Sequence, residues 1–156
     1  MQLTFTWVGK TKNAHLAALE QEYLDRLGHF VTCRCQIVRP EVAHTERDER
    51  RRREAEGRKI LALLPADSYV VVLDERGEMF RSEELAGMIS QRLQEGTRQM
   101  HFVVGSHDGL SESVRKRANL LLSLSPLTMP HELVRVILLE QIYRAFAIIH
   151  RLPYPR

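Results

Sequence analysis

The chain has 156 residues, of which 44% are hydrophobic and 28% are charged, and its formal net charge is +3 at pH 7. These values are typical of one soluble globular domain, here residues 1–156, and exclude a disordered or fibrous protein. The weak positive charge permits a nucleic-acid partner without requiring one. No run approaches eighteen apolar residues and no signal peptide opens the chain, so we expect a cytoplasmic protein without a membrane partner.

Strand and helix patterns alternate from one end of the chain to the other. Short apolar and β-branched runs predict strands over residues 3–8, 31–38, 69–73, 101–104 and 120–124. Helices are predicted between them, and the capping residues Asn13, Ser82 and Ser111 are expected to begin three of these helices. The alternation predicts an α/β fold with a largely parallel sheet flanked by helices.

The two cysteines lie in the second predicted strand. Cys33 and Cys35 have no second Cys/His pair at metal-ligand spacing, so the sequence predicts no metal site. Strand alternation places both on one face together with Ile37, and we interpret them as small core residues. The polar residues Asp74 to Gly77 after the third strand are interpreted as a turn.

A highly charged segment precedes the third strand. It contains the arginine run Arg50 to Arg53, with acidic residues on both sides of the run. Mixed charges along a helix are typical of a solvated face held by ion pairs. The same run is also compatible with an RNA-binding patch, and the sequence leaves both interpretations open.

The last predicted helix, residues 131–150, is apolar around most of its circumference. Such a helix must be covered on nearly all sides, and a short chain has little material to cover it, so a homodimer is expected. Glu140 and Arg144 are four residues apart and can form an ion pair. His131 and Arg135 are also one turn apart, so both can face one point near the start of the helix.

Three predicted strands end in loops that could form one site. In open α/β sheets, ligands bind beyond the carboxyl ends of the strands. Those ends are Leu73-Asp74, Val104-Gly105 and Leu124-Ser125, and the loops that follow are rich in glycine, proline and small polar residues. If the strands are neighbours, these loops meet in one crevice.

The string LSLSPLTMPHELVRVILLEQIYRAFAI, residues 122–148, gives the most specific signal in the chain. It resembles the C-terminal signature of the SPOUT superfamily of knotted methyltransferases. More narrowly, it is similar to the family of ribosomal large-subunit pseudouridine N3-methyltransferases. Val8-Gly9-Lys10, Val72-Leu73-Asp74, the loop from Gly105 to Gly109 and the Pro153-Tyr154 end agree with that family as well.

The resemblance implies a C-terminal trefoil knot that holds S-adenosyl-L-methionine, mostly through backbone groups of the three loops. Carried over by position, the cofactor-binding residues are Leu73, Gly105, Leu124, Ser125, Pro126, Leu127, Thr128 and Met129. The implied acceptor is the ring nitrogen N3 of a pseudouridine in large-subunit ribosomal RNA within the assembled ribosome. No metal is implied.

Three residues are candidates for catalysis. His131 could accept the proton of the acceptor nitrogen, because a helix N-terminus keeps imidazole neutral, or it could only shape the cofactor loop. Arg135 could stabilise negative charge or grip a phosphate, or it could form an ion pair at an interface. Tyr154 could stack on a base, while Arg144 and Arg156 are candidate RNA-binding residues.

Two departures from the family pattern leave alternatives open. Pro155 replaces a tail histidine, and Ser106-His107-Asp108 replaces a loop that usually has a second glycine. A noncatalytic RNA- or ribosome-binding module on the same fold therefore remains an alternative. A methyltransferase with a different RNA acceptor, such as transfer RNA, is another.

Overall fold

The computed structural model of the chain describes residues 1–42 and 46–154, apart from the side chains of residues 46 and 47. Strands and helices alternate in the predicted order. The elements are β1 (Gln2–Val8), α1 (Ala14–Gly28), β2 (Thr32–Val38), α2 (Glu46–Ala62), β3 (Tyr69–Met79), α3 (Ser82–Gln94), β4 (Gln99–Val104), α4 (Glu112–Arg117), β5 (Leu120–Ser123) and α5 (His131–Ile149).

The five strands form one sheet in the order β2-β1-β4-β3-β5, and every pair of neighbours is parallel. The predicted α/β fold is therefore confirmed. Because β4, β3 and β5 are adjacent and parallel, their carboxyl ends lie side by side at one edge of the sheet. The trefoil knot stays a prediction.

Helices cover both faces of the sheet and create two cores. On one face, α1, α3 and α5 pack against large strand residues such as Phe5, Trp7 and Phe102, all at most 1% exposed. On the other face, α2 and α4 pack against β-branched residues such as Val72 and Val103. Burial on both faces explains why the central strands are nearly continuous apolar runs.

Two of the three predicted helix caps are confirmed. The Asn13 side chain accepts the backbone N–H groups of His15 and Leu16 at 2.9 and 3.2 Å, and Ser111 Oγ accepts that of Val114 at 3.4 Å. The prediction for Ser82 was wrong. Ser82 is the first residue of α3, and its hydroxyl donates to Gln141 of α5 at 2.7 Å.

The predicted turn at residues 74–77 was also wrong, because β3 continues to Met79. The chain bulges after Leu73 and then returns to β5, so that Leu122 is paired with both Leu73 and Glu78. Gly77 makes this close return possible. A Cβ atom there would lie 2.6 Å from the backbone of Leu121, closer than any side chain can approach.

The interpretation of both cysteines as core residues was half wrong. Cys33 packs partly against the core, whereas Cys35 is exposed and Ile37 is 48% exposed. The reason is that β2 is an edge strand. Alternation predicts which residues share a face but not whether that face is covered.

Most of α5 is buried within its own chain. Its buried residues are Arg135, Val136, Leu138, Leu139, Ile142, Ala145, Phe146 and Ala147. An apolar stripe on the remaining face is left partly open, with Leu133 36% exposed, Ile148 38% exposed and Ile137 half-buried between them. Across the described ranges, no helix is both long and apolar enough to span a bilayer.

Candidate functional site at the carboxyl edge of the sheet

A cavity of about 810 Å³ opens between the bulge of β3 after Leu73 and the ends of β4 and β5, against the first turn of α5. Its walls are formed by the segments that the sequence predicts there. The predicted cofactor-binding residues that line it are Leu73, Gly105, Leu124, Ser125, Leu127, Thr128 and Met129. The predicted convergence of the three segments is therefore confirmed, although the one after Leu73 is a bulge within β3 and not a loop. Pro126 belongs to the same loop but is exposed and does not line the cavity.

The loop after β4 forms one wall through its backbone. Gly105 is buried, and a Cβ atom there would lie 2.8 Å from Cγ of Leu110. Gly109 adopts a φ of +77°, which favours glycine, and its N–H donates to the carbonyl of Ser106 at 3.0 Å. Both glycines let the loop turn tightly beside the cavity.

The loop between β5 and α5 forms the opposite wall. The Ser123 hydroxyl donates to the carbonyl of Ser125 at 3.1 Å, and Ser125 Oγ accepts the backbone N–H of Leu127 at 3.0 Å. These two bonds hold the loop in a tight turn. The Leu127 side chain is 75% exposed and projects from the cavity wall.

A partly buried ion pair supports the cavity beside Leu73. The Asp74 carboxylate accepts Nε of Arg115 at 2.5 Å and the backbone N–H of Arg76 at 2.9 Å. Burial tends to raise the pKa of Asp74, but these hydrogen bonds and the two positive charges outweigh it and hold the pKa below its ordinary value. The pair fixes the start of the bulge in β3, and no local pattern predicts it because its members are 41 positions apart in the sequence.

The arginine run of α2 divides between solvent and cavity. Arg50 pairs with Glu54 at 3.2 Å on the solvated face, as the ion-pair interpretation predicts. Arg52 instead pairs with Asp108, and Nη1 of Arg53 donates to the Asp108 carbonyl at 3.3 Å. Arg53 lines the cavity. Four identical neighbours in the sequence give no sign of which arginine faces inward.

His131 lines the cavity at the start of α5. Its pKa is lowered chiefly by partial burial, and the positive charges of Arg135, His107 and Lys12 add to that effect against the opposing charge of Glu132. The imidazole is therefore neutral near pH 7 and can accept a proton.

Arg135 does not reach the cavity, although it lies one turn from His131. Its side chain is fully buried, with Nη2 donating to the carbonyl of Val8 at 2.8 Å and Nη1 to Oγ1 of Thr11 at 2.9 Å. The expectation that both residues point into one site needs correction for this chain, because the guanidinium turns below the helix toward the loop after β1.

Tyr154 and Arg144 lie at the far end of α5 and do not line the cavity of their own chain. The Arg144 guanidinium stacks 4.6 Å from the Tyr154 ring and pairs with Glu140, which confirms the predicted pair. The Tyr154 hydroxyl donates to Glu140 at 3.2 Å. Burial, followed by the neighbouring Tyr23 and Glu140, raises the Tyr154 pKa, so the phenol is neutral at physiological pH.

Two further expectations concern the chain end and metals. Pro155 and Arg156 lie outside the described residues, so the predicted RNA contact of Arg156 stays a prediction. Within the part of the chain that the structure describes, no cluster of three or more His, Cys, Asp or Glu residues could hold a metal ion.

Similarity to known proteins covers almost the whole chain. A family model described as "Predicted SPOUT methyltransferase" matches residues 1–155. Three relatives named "Ribosomal RNA large subunit methyltransferase H" are 38%, 39% and 41% identical, from Christiangramia forsetii, Geotalea daltonii and Clostridium acetobutylicum respectively. Each alignment covers 99% of this chain and 98%, 99% and 99% of the relative, in the same order.

A solved structure gives independent support for the fold. It is described as "Crystal structure of probable rRNA-methyltransferase from Porphyromonas gingivalis" and superposes with a TM-score of 0.53. The superposition covers 95% of this chain and 69% of that one at 13% identity, so it bears on architecture alone. Together with the family model and the full-length relatives, it leads to one conclusion: the chain belongs to the SPOUT methyltransferase family, among the relatives called ribosomal RNA large subunit methyltransferase H.

Proposed function

We propose that this enzyme transfers a methyl group from S-adenosyl-L-methionine to N3 of a pseudouridine in large-subunit ribosomal RNA. One observation carries the proposal: the bulge of β3 after Leu73 and the loops after β4 and β5 enclose a single cavity whose walls include seven of the eight residues expected to bind the cofactor. The names of the full-length relatives support a large-subunit ribosomal RNA substrate. The assembled ribosome in the cytoplasm is the expected setting.

The cavity fits the cofactor in size and chemistry. Its volume of about 810 Å³ lies within the range of small-molecule sites. Leu73, Leu124 and Val134 give an apolar wall for an adenosine ring, while the backbone of Gly105 and Ser125 can supply hydrogen bonds. Bound S-adenosylmethionine would supply an activated methyl group on a sulfonium.

His131 is proposed to take the proton that the acceptor nitrogen must lose. The residue lines the cavity, and its lowered pKa keeps it neutral and basic at physiological pH. Methyl transfer then forms the N3–methyl bond as the methyl–sulfur bond breaks, and the N3 proton passes to His131. The cavity walls further raise the rate of methyl transfer because they align the acceptor nitrogen with the methyl–sulfur bond.

We propose a homodimer that completes this site. His131 and Arg144 are thirteen positions apart, which corresponds to about 20 Å along α5. One chain therefore holds its cavity and its Tyr154–Arg144–Glu140 cluster at opposite ends of the helix. An antiparallel α5 from a second copy, packed on the exposed stripe of Leu133, Ile137 and Ile148, would bring that cluster to the cavity.

In this arrangement the C-terminal tail of one subunit, the residues after α5, contacts the RNA at the cavity of the other subunit. The Tyr154 ring can stack on a base, and Arg144 can pair with a phosphate once RNA displaces part of its contact with Glu140. Arg156 is proposed to add a further phosphate contact. The departure at Pro155 makes His131, rather than a tail histidine, the proposed base.

Two measurements test the proposal. Calorimetry with S-adenosylhomocysteine should show binding, and a bulky residue at Gly105 should abolish it while the protein stays folded. Mass spectrometry of ribosomal RNA from a deletion strain should show the loss of one methyl group on a pseudouridine, restored by the intact gene. Binding with an unchanged methylation pattern would instead favour a noncatalytic module, and a methyl group lost from transfer RNA a different acceptor.

Subunit mixing tests the shared site. We expect a variant with a blocked cavity and a variant with Tyr154→Ala to be inactive alone. When the two are unfolded together and reassembled, mixed dimers carry one intact cavity facing one intact tail, so part of the activity should return. Mixtures that stay inactive would contradict a site built from two chains.

A further inference from the structure

The loop between β1 and α1, residues 9–13, is fastened to the first turns of α5. Nη2 of Arg135 donates to the carbonyl of Val8 at 2.8 Å, and Nη1 donates to Oγ1 of Thr11 at 2.9 Å. The Glu132 carboxylate accepts the backbone N–H groups of Lys12 at 2.9 Å and Asn13 at 3.1 Å. Three hydrogen bonds to the loop and one to the last residue of β1, all between residues more than a hundred positions apart, therefore make the loop and the helix one unit.

Burying a guanidinium is costly unless specific partners compensate it. Arg135 is fully buried, and its partners are the carbonyl of Val8 and the hydroxyl of Thr11, which itself donates to the buried Glu20. The ring of Trp7 also lies under the guanidinium, 5.6 Å from its carbon. These contacts fix the path of the loop. Because the Arg135 side chain is fully buried, it cannot contact a substrate.

The loop presents its two lysines to solvent. Thr11 turns inward to Arg135 and Glu20, whereas Lys10 and Lys12 on either side of it are exposed. Among the ion pairs of the described residues, neither lysine takes part. Two flexible, hydrated ammonium groups on a fixed backbone are suited to phosphodiester oxygens.

The loop lies beside the cavity. β1 is the neighbour of β4, so the loops after these two parallel strands emerge at the same edge of the sheet. Glu132, which binds the Lys12 backbone, directly follows His131 of the cavity wall. A phosphate held by Lys12 would therefore sit next to a nucleotide whose base enters the cavity.

We infer that residues 9–13 form a phosphate-binding arm of the RNA interface, in which Lys10 and Lys12 contact the RNA backbone and Arg135 and Glu132 act as positioning residues. The inference rests on the proposed RNA substrate. It adds a surface that the C-terminal signature does not contain, and it gives Arg135 a role that agrees with its burial.

The test compares Lys12→Gln with Lys116→Gln, an equal loss of charge at another exposed lysine, on α4. Methylation of ribosomal particles is measured at several salt concentrations. We expect Lys12→Gln to raise KM, to leave kcat and S-adenosylhomocysteine affinity unchanged, and to reduce the slope of log KM against log salt by about one. Lys10→Gln is then added to Lys12→Gln. Raising the salt from about 50 to about 200 mM should weaken RNA binding by this double variant about tenfold less than it weakens RNA binding by the unmodified protein.

A double-mutant cycle tests the positioning role. If Arg135 and Glu132 act by holding the loop, Lys12→Gln should have little further effect on KM once Arg135→Met is present. A merely structural arginine would leave the Lys12→Gln effect the same in both backgrounds. Glu132→Gln, which weakens the grip on the loop but keeps the buried arginine, serves if Arg135→Met does not fold.

Other outcomes overturn the inference. Equal KM and salt slope for Lys12→Gln and Lys116→Gln, with methylation intact, would refute the arm and leave the proposed function standing. A change in dimer dissociation without a change in KM would make the loop a protein contact instead. Absence of methylation by the unmodified protein would refute the proposed function itself.

Discussion

Substituting Gly105 by alanine perturbs the cavity with a single methyl group. The added Cβ would lie 2.8 Å from Cγ and 3.0 Å from Cδ2 of Leu110, and 3.1 Å from the carbonyl oxygen of Gly109. Nonbonded carbon atoms prefer about 3.5–4.0 Å, so the neighbours must move by roughly 0.5–1 Å. Leu110 is only 6% exposed and belongs to the second core, so it has little room to turn away.

Overpacking of this kind costs about 1–3 kcal/mol. The strain can be relieved only by shifting the loop after β4, whose backbone is expected to bind the cofactor. If that free energy is taken from binding, the affinity for S-adenosylhomocysteine should fall by about 5- to 150-fold. Calorimetry measures the loss, and urea unfolding shows how much of the strain instead lowers the free energy of unfolding.

Two further variants make the assignment specific. Gly87→Ala is the control, because Gly87 is exposed on α3 and a Cβ atom there meets nothing within 4 Å. It should leave affinity unchanged and stabilise the helix by about 1 kcal/mol. Adding Leu110→Ala to Gly105→Ala removes the clashing side chain, so the double variant should bind better than the two separate losses predict. Unchanged affinity in Gly105→Ala would refute the reasoning and the placement of the cofactor.

Three more predictions follow from single contacts. Gly77→Ala should lower the urea midpoint more than Gly105→Ala does, because its Cβ would meet the backbone of Leu121 at 2.6 Å and no rotamer can yield; an equal or smaller effect would contradict the close return of β3. His131→Gln should lower kcat and remove its fall at acid pH; because partial burial lowers the pKa of His131, that fall should begin below the ordinary histidine pKa, and a variant that keeps the same fall would exclude His131 as the base. Glu140→Gln should free the Tyr154 hydroxyl from a charged acceptor and lower kcat with S-adenosylhomocysteine affinity unchanged, and a matching loss in both would place Glu140 in the fold rather than the tail.

The sequence predicted the parts of this protein that depend on local pattern. Parallel strands read as short apolar runs because both faces are covered, and the caps at Asn13 and Ser111 follow from side-chain hydrogen bonds within three residues. The bulge after Leu73 and the loops after β4 and β5 carry glycine, proline or serine because the chain bends or turns there. Convergence of these loops then follows from the parallel arrangement alone.

Features that depend on distant residues could not be predicted. Helical spacing places His131 and Arg135 on one side of α5, but only the loop after β1 determines that the arginine is buried beneath it. The polar residues after Leu73 are typical of a turn, yet β3 extends to Met79 because its last residues pair with β5. The exposure of Cys35 likewise follows from the position of β2 at the sheet edge. The sequence of the strand does not predict that position.

The proposed function depends most on the cavity between Leu73, Gly105 and Leu127 as the cofactor site. A crystal structure with S-adenosylhomocysteine tests this directly. We expect the adenosine of the ligand to lie between these residues. The sulfur of S-adenosylhomocysteine should face His131 and the mouth of the cavity, which should lie beside Lys12. Density for the ligand at any other place, or a cavity that stays filled by protein side chains while the ligand binds elsewhere, would contradict the assignment of the site.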